Sequence, residues 1–269
     1  MVAQPSLAPF SQWSLESLTL RLAAHLPGDS VAVVHPPKQH AGFSCWEGLV
    51  PHLSPRGDPV GGYRAREGGC ARALTQLLAQ IKNECPMLEP TAPLQLLGFS
   101  KGCIVVNQLL AEIGLAQHEA QEGGDAMQLL KRIASVSWLD PGVSEQGPVL
   151  LDKRKLLKHA ARAIVQSEPR PRLSVALTCY ALERHTAAWR GWVPAWLQRE
   201  GELQVALRRF RRRMKRHGAI VEIQLLTQRP PTLETHFEVI EAFVPVWRAT
   251  TVQQPKLSSN RAASMRNST

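Results

Sequence analysis

The sequence predicts an α/β fold: a mostly parallel sheet with helices on both faces. Three observations point there. Short apolar or β-branched runs alternate with helix-period segments along the chain. A glycine-rich turn at 98–102 joins an apolar run to a helical pattern, the connection a parallel sheet uses. Apolar residues make up 44% of the 269 and charged residues 20%, enough to bury a core and too apolar for a wholly disordered chain.

The elements follow in order. Residues 13–25 read as a helix, with Ser11 or Ser14 as cap, Leu15, Leu18, Leu22 and Leu26 at helical spacing, and Pro27-Gly28 as the stop. Residues 30–35 (SVAVVH), closed by Pro36-Pro37, read as a buried strand. Residues 54–62 are a Pro- and Gly-rich loop, and 69–83 a helix with Leu74, Leu77, Leu78 and Ile81 on one face. Residues 94–99 read as a strand and 101–113 as a helix, followed by a polar excursion over 116–126. The alternation continues with strand 133–139, helix 152–166, strand 173–178, helix 200–217, strand 219–226 and helix 234–243. The expected domain runs over 13–250, after an unstructured extension over 1–12 and before a disordered polar tail over 251–269.

Several classes are excluded early. No stretch approaches the length of an apolar membrane span. The first twelve residues hold no Lys or Arg, unlike a secretory or mitochondrial leader. Five Cys without a CxxC support neither a disulfide framework nor a zinc site.

Gly98-Phe99-Ser100-Lys101-Gly102 has the form G-x-S-x-G between a strand and a helix, the context of a nucleophile elbow. Such a turn lifts the serine oxygen above the sheet edge. Gly98 and Gly102 are expected to leave room where side chains would collide. The Lys101 amide, at a helix start, is placed to stabilise an oxyanion. The plain alternative is a Gly-rich turn with a surface serine.

A nucleophilic serine needs a base, and the base an orienting acid, in the chain order Ser, Asp or Glu, His. His118 falls in a polar loop, His159 within a helix, and His217 at a helix end opposite the active edge. His236, at the loop-to-helix junction after the last strand, is the candidate base; a capping or interface role is its plain reading. Asp140 closes the strand after the elbow helix and is the favoured acid, although Asp140-Pro141-Gly142 also reads as a turn. Glu183, beyond strand 173–178, is the alternative acid.

With these residues placed, the chain resembles a family of mitochondria-associated, α/β-hydrolase-like proteins, typified by the human chromosome-two open-reading-frame sixty-nine product. The resemblance runs from about Trp13 to Phe243. It is carried by Trp13-Ser14-Leu15-Glu16, Phe43-Ser44-Cys45, the LLGFSKGC block at 96–103 with Asn107-Gln108-Leu109-Leu110, Trp138-Leu139-Asp140, and His236-Phe237 with Glu241 and Phe243. It implies an α/β-hydrolase fold, a suspected serine-hydrolase site and a mitochondrial location; a serine mechanism of this kind is expected to need no metal or organic cofactor. The family places a strand and an oxyanion loop before the Trp13 helix, so the chain is expected to be N-terminally short, to lack that strand, and to be weak or inactive as written. The other reading takes SVAVVH as that strand and His35-Pro36-Pro37 as the oxyanion loop.

Two further segments stand out. Between Arg208 and Arg216 lie seven basic residues, within a chain whose formal net charge is +10. Leu203, Leu207, Phe210 and Met214 step at helical spacing, so the run reads first as a solvated helix face. An acidic membrane surface or RNA is the second reading, and no nucleic-acid motif accompanies the run. Trp189, Trp192 and Trp196 lie in an insertion, 189–199, read either as a lid over Ser100 or as ordinary helical packing. The expected partners are a small acyl substrate and protein partners, not nucleic acid.

Overall fold

The structure is a computed structural model, and it describes residues 12–40, 43–89, 91–144, 147–148, 150–183, 202–226 and 230–252. At its centre is a four-stranded sheet of β3 (Leu94–Phe99), β4 (Ile133–Leu139), β7 (Arg172–Leu177) and β8 (Val221–Leu225), in the order β3-β4-β7-β8. Every pair is parallel. Two antiparallel ribbons flank it: β1 (Lys38–His40) with β2 (Phe43–Cys45), and β5 (Val143–Ser144) with β6 (Gly147–Pro148).

The alternation of side chains along each strand sorts the core onto two faces. Gly98, Trp138, Val175 and Ile223 are aligned across the sheet. The last three pack with α3 (Cys103–His118), α5 (Arg154–Gln166) and α7 (Glu202–Arg216). Leu139 and Ala176, one position along, belong to a second cluster with Phe99 at its border. They pack with Leu26, Val239, Ile240, Phe243 and Val244 of the α1 (Leu15–His25) and α8 (Leu233–Val252) side. Helices therefore cover both faces, as a parallel sheet requires.

α3 is the hub of the first face, with twelve buried residues. Its buried polar side chains hold long loops. Asn107 Oδ1 accepts from the Leu151 amide at 3.1 Å, and Gln108 Nε2 donates to the Arg64 carbonyl at 3.2 Å. Glu112 accepts from the Cys70 and Ala71 amides at 3.0 and 2.8 Å. It thereby caps α2 (Cys70–Glu84), whose N-cap is a glycine without a side chain to do so.

Three expectations are corrected. Residues 30–35 are not a strand: Val31 and Val33 are half-buried, Ala32 and Val34 are exposed, and no ladder is formed. A β-branched run becomes a strand only beside a strand to pair with. Among the described residues β3 pairs with β4 alone, so none is offered here. His118 is not in a loop but is the last residue of α3, and α4 (Asp125–Leu130) begins within the segment read as a polar excursion. Residues 38–45, given no element in the sequence reading, form the β1–β2 ribbon.

Residues 189–199, the tryptophan insertion, lie outside the described residues, as do 1–11 and 253–269. Among the described residues no helix is long and apolar enough to cross a membrane.

Candidate active site

Strand register builds the site. Phe99 and Leu139 are aligned partners at the ends of β3 and β4. Their successors, Ser100 and Asp140, therefore sit side by side at the carboxyl edge, where parallel sheets bind ligands. Both have positive φ, +49° for Ser100 and +45° for Asp140. That region is costly for a residue with a Cβ and persists where surrounding structure enforces it.

Ser100 opens a single 3-10 turn, Ser100–Gly102, which continues into α3. The close approach of α3 to β3 requires Gly98. A Cβ there would lie 2.7 Å from Val106 Cγ2 and 3.0 Å from both Cys103 Cα and the Gly102 carbonyl oxygen. Gly102 is a correction: the nearest atom to a Cβ there is Trp46 Cζ2 at 3.9 Å, an ordinary contact, so room for the turn comes from Gly98 alone.

Beneath the turn, the Cys103 thiol donates to the Gly98 carbonyl at 3.0 Å and approaches that of Leu139 at 3.6 Å, bridging the two strand ends. Burial pushes this thiol far up from its ordinary range, so it is a packing group and not a nucleophile.

Asp140 is 1% exposed and His236 7%. His236 Nδ1 and Asp140 Oδ2 are 2.9 Å apart. The remaining acceptor capacity of the carboxylate is used by Thr178, whose amide donates to Oδ1 at 2.6 Å and whose hydroxyl donates to Oδ2. The Asp140 amide in turn donates to the Ala176 carbonyl at 2.8 Å.

The imidazole is also clasped between two rings. Phe99 lies 4.6 Å from it, centroid to centroid, and Tyr180 of α6 (Cys179–Glu183) lies 4.5 Å from it. Position, ring plane and the bonded nitrogen of His236 are thus fixed together. With Nδ1 turned to Asp140, Nε2 is the ring nitrogen that faces away from the carboxylate and the one placed to act as a base. Among the described residues no hydrogen bond joins Ser100 Oγ to the imidazole. Such contacts commonly tighten only with substrate in place.

The elbow is tethered on its other side. Lys101 Nζ pairs with Asp58, whose side chain is 2% exposed. Trp46, following β2, packs at Gly102. The loop from Trp46 to Tyr63 therefore borders the elbow.

Of the residues singled out from sequence, Asp140 and His236 are brought together beside Ser100, and the Lys101 amide lies in the first turn after it. The Glu183 side chain lies outside the described residues. Thr178, Tyr180 and Asp58 were missed. Thr178 alone had a signal, a hydroxyl residue closing the strand next to the one that ends in Asp140. Among the described residues none of the five Cys is joined in a disulfide. Among the described residues no three His, Cys, Asp or Glu are grouped to hold a metal ion.

The fold and this edge define the chain as an α/β protein with a Ser-Asp-His cluster at the carboxyl ends of its strands. A family model described as C2orf69 matches residues 75–167. The mitochondrial protein C2orf69 homolog of Danio rerio is 28% identical over 266 residues, covering 90% of this chain and 68% of the relative. The mitochondrial protein C2orf69 of Homo sapiens is 30% identical over 156 residues, covering 56% of this chain and 34% of that protein. The Mus musculus homolog is 26% identical over 161 residues, covering 59% and 37%. The chain is similar to the C2orf69 family, most specifically over residues 75–167. Its relatives' names agree with the mitochondrial location that the resemblance implied. The chain thus spans about two thirds of the zebrafish relative and about a third of the human one. No solved structure matches it.

Proposed function

We propose that this chain is a mitochondrial serine hydrolase acting on an ester, thioester or amide. The observation that carries the reading is the buried Asp140–His236 pair, held beside a serine of positive φ at adjoining strand ends. In this reading Ser100 Oγ attacks the acyl carbon and His236 Nε2 takes its proton. Asp140 keeps Nδ1 protonated and stabilises the imidazolium, while the Lys101 amide donates to the oxyanion. The imidazolium returns its proton to the leaving group, and water then releases the acyl group from Ser100 by the same steps in reverse order.

Thr178 supports the scheme by occupying the rest of the Asp140 carboxylate, so that Oδ2 faces the imidazole. Phe99 and Tyr180 keep the ring from swinging away. Labelling of the folded chain by a fluorophosphonate probe, lost in Ser100→Ala, is the result expected.

A second reading is favoured by two observations: the strand that carries Ser100 is paired on one side only among the described residues, and Ser100 is not hydrogen-bonded to His236. In that reading the chain keeps the fold without the chemistry and acts through its surface. Correctly folded protein that takes no label supports it and overturns the first.

A further inference from the structure

The net charge of the chain is gathered on two helices. α5 carries Arg154, Lys155, Lys158 and Arg162 and no acid. α7 carries the seven bases between Arg208 and Arg216 and one acid, Glu202. Eleven bases less one acid leave +10, which is the formal charge of the whole chain, so all the other residues together sum to zero.

The two helices pack side by side on the same face of the sheet. Leu203, Leu207, Phe210 and Met214 turn the apolar stripe of α7 inward, which leaves six of its seven bases exposed. His217, just past α7, feels Arg162, Lys158 and Arg154 of α5 as well as Arg216. Burial first, and then these cations, hold its imidazole below the ordinary range, so the charges of both helices act at one place. Among the described residues none of these bases is ion-paired with a carboxylate. At the end of α7, beyond Gly218, Ile220 stands 73% exposed.

We propose that the α5–α7 face seats the protein on an anionic lipid surface. The face suits lipid better than RNA. The one aromatic ring of α7, Phe210, is buried, and α5 carries no Phe, Tyr or Trp, so bases find no stacking platform. Clustered Lys and Arg attract acidic headgroups, and an apolar side chain at the border, here Ile220, enters the headgroup layer. α7 leads into the start of β8, so its basic carboxyl-terminal half lies toward the amino ends of the strands. The Ser100 edge is at the other end and stays open when the face is seated. The inference does not depend on Ser100 being active.

The test is sedimentation of the full chain with phosphatidylcholine vesicles, with and without about 30% phosphatidylglycerol, at about 0.15 M salt. Binding to the anionic vesicles alone is expected. Arg208, Arg209, Arg212 and Arg216 changed together to Gln are expected to weaken it roughly a thousandfold. A second variant, Lys155, Lys158 and Arg162 to Gln, is expected to weaken it by a smaller factor. Unchanged circular dichroism shows that each variant folds. No binding to anionic vesicles, equal binding to both kinds, wild-type affinity in both variants, or tighter binding to a single-stranded oligoribonucleotide than to vesicles would each overturn the proposal.

Discussion

Gly98 and Gly102 look alike in the sequence, yet alanine at each should act with opposite sign. At Gly98 the new Cβ meets backbone, Cys103 Cα and the Gly102 carbonyl at 3.0 Å, besides Val106 Cγ2 at 2.7 Å. Rotating Val106 relieves one contact but not the other two, so the first turn of α3 must move off β3. Overpacking of this kind costs about 1–3 kcal/mol. The smaller entropy of the unfolded alanine chain returns only about 0.4–1 kcal/mol. At Gly102 the nearest atom is 3.9 Å away and the backbone is already helical, with φ −61° and ψ −21°. There the entropy gain stands alone, and the variant should be more stable by about 0.4–1 kcal/mol. Urea unfolding of the two variants beside the parent chain reads the difference. In a domain of this size about 1 kcal/mol moves the melting midpoint by roughly 2–4 °C. If Gly102→Ala destabilises as much as Gly98→Ala, or both are neutral, the packing argument for the turn is wrong.

Other outcomes follow from the same structure. Asp140→Asn keeps the side-chain shape but turns an N–H toward His236 or Thr178, so the imidazole is driven to the tautomer that cannot act as base; probe labelling should fall by about ten-thousand-fold while the fold survives. Lys101→Met strands a buried carboxylate on Asp58 and should cost about 3 kcal/mol, whereas Asp58→Asn leaves the more exposed Lys101 to reach water and should cost less; urea midpoints give the order. His159 and His217 are held below the ordinary imidazole range, by burial first and then by neighbouring cations. The unfolded chain therefore binds more protons just below that range, and stability should rise as pH is raised through it. Urea midpoints taken across that range should show the slope, and His159→Gln with His217→Gln should flatten it.

The parts legible in the sequence were those whose signal is local. β4 coincides with its apolar run, and α7 follows from the spacing of Leu203, Leu207, Phe210 and Met214. Ser100 was marked by glycine spacing, and Asp140 by its place at a strand end. What escaped notice depends on contacts between distant segments. SVAVVH has the composition of a strand, but pairing is a property of its neighbours. Tyr180 and Thr178 gain their roles only because β7 lies beside β4 and α8 returns His236 to that edge. Asp58 lies in a Pro- and Gly-rich loop, and its pairing with Lys101 joins segments distant in sequence.

The central claim is that Ser100, His236 and Asp140 work as one unit. Its most direct test is the rate of phosphonylation by a fluorophosphonate, with the adduct mapped by peptide mass spectrometry, in the parent chain and in Ser100→Ala, His236→Ala and the double variant. Members of one unit are strongly non-additive. The adduct should therefore map to Ser100 in the parent, and each single variant should lose about as much as the double. An adduct on another residue, or a His236→Ala chain that reacts at the parent rate, would contradict it.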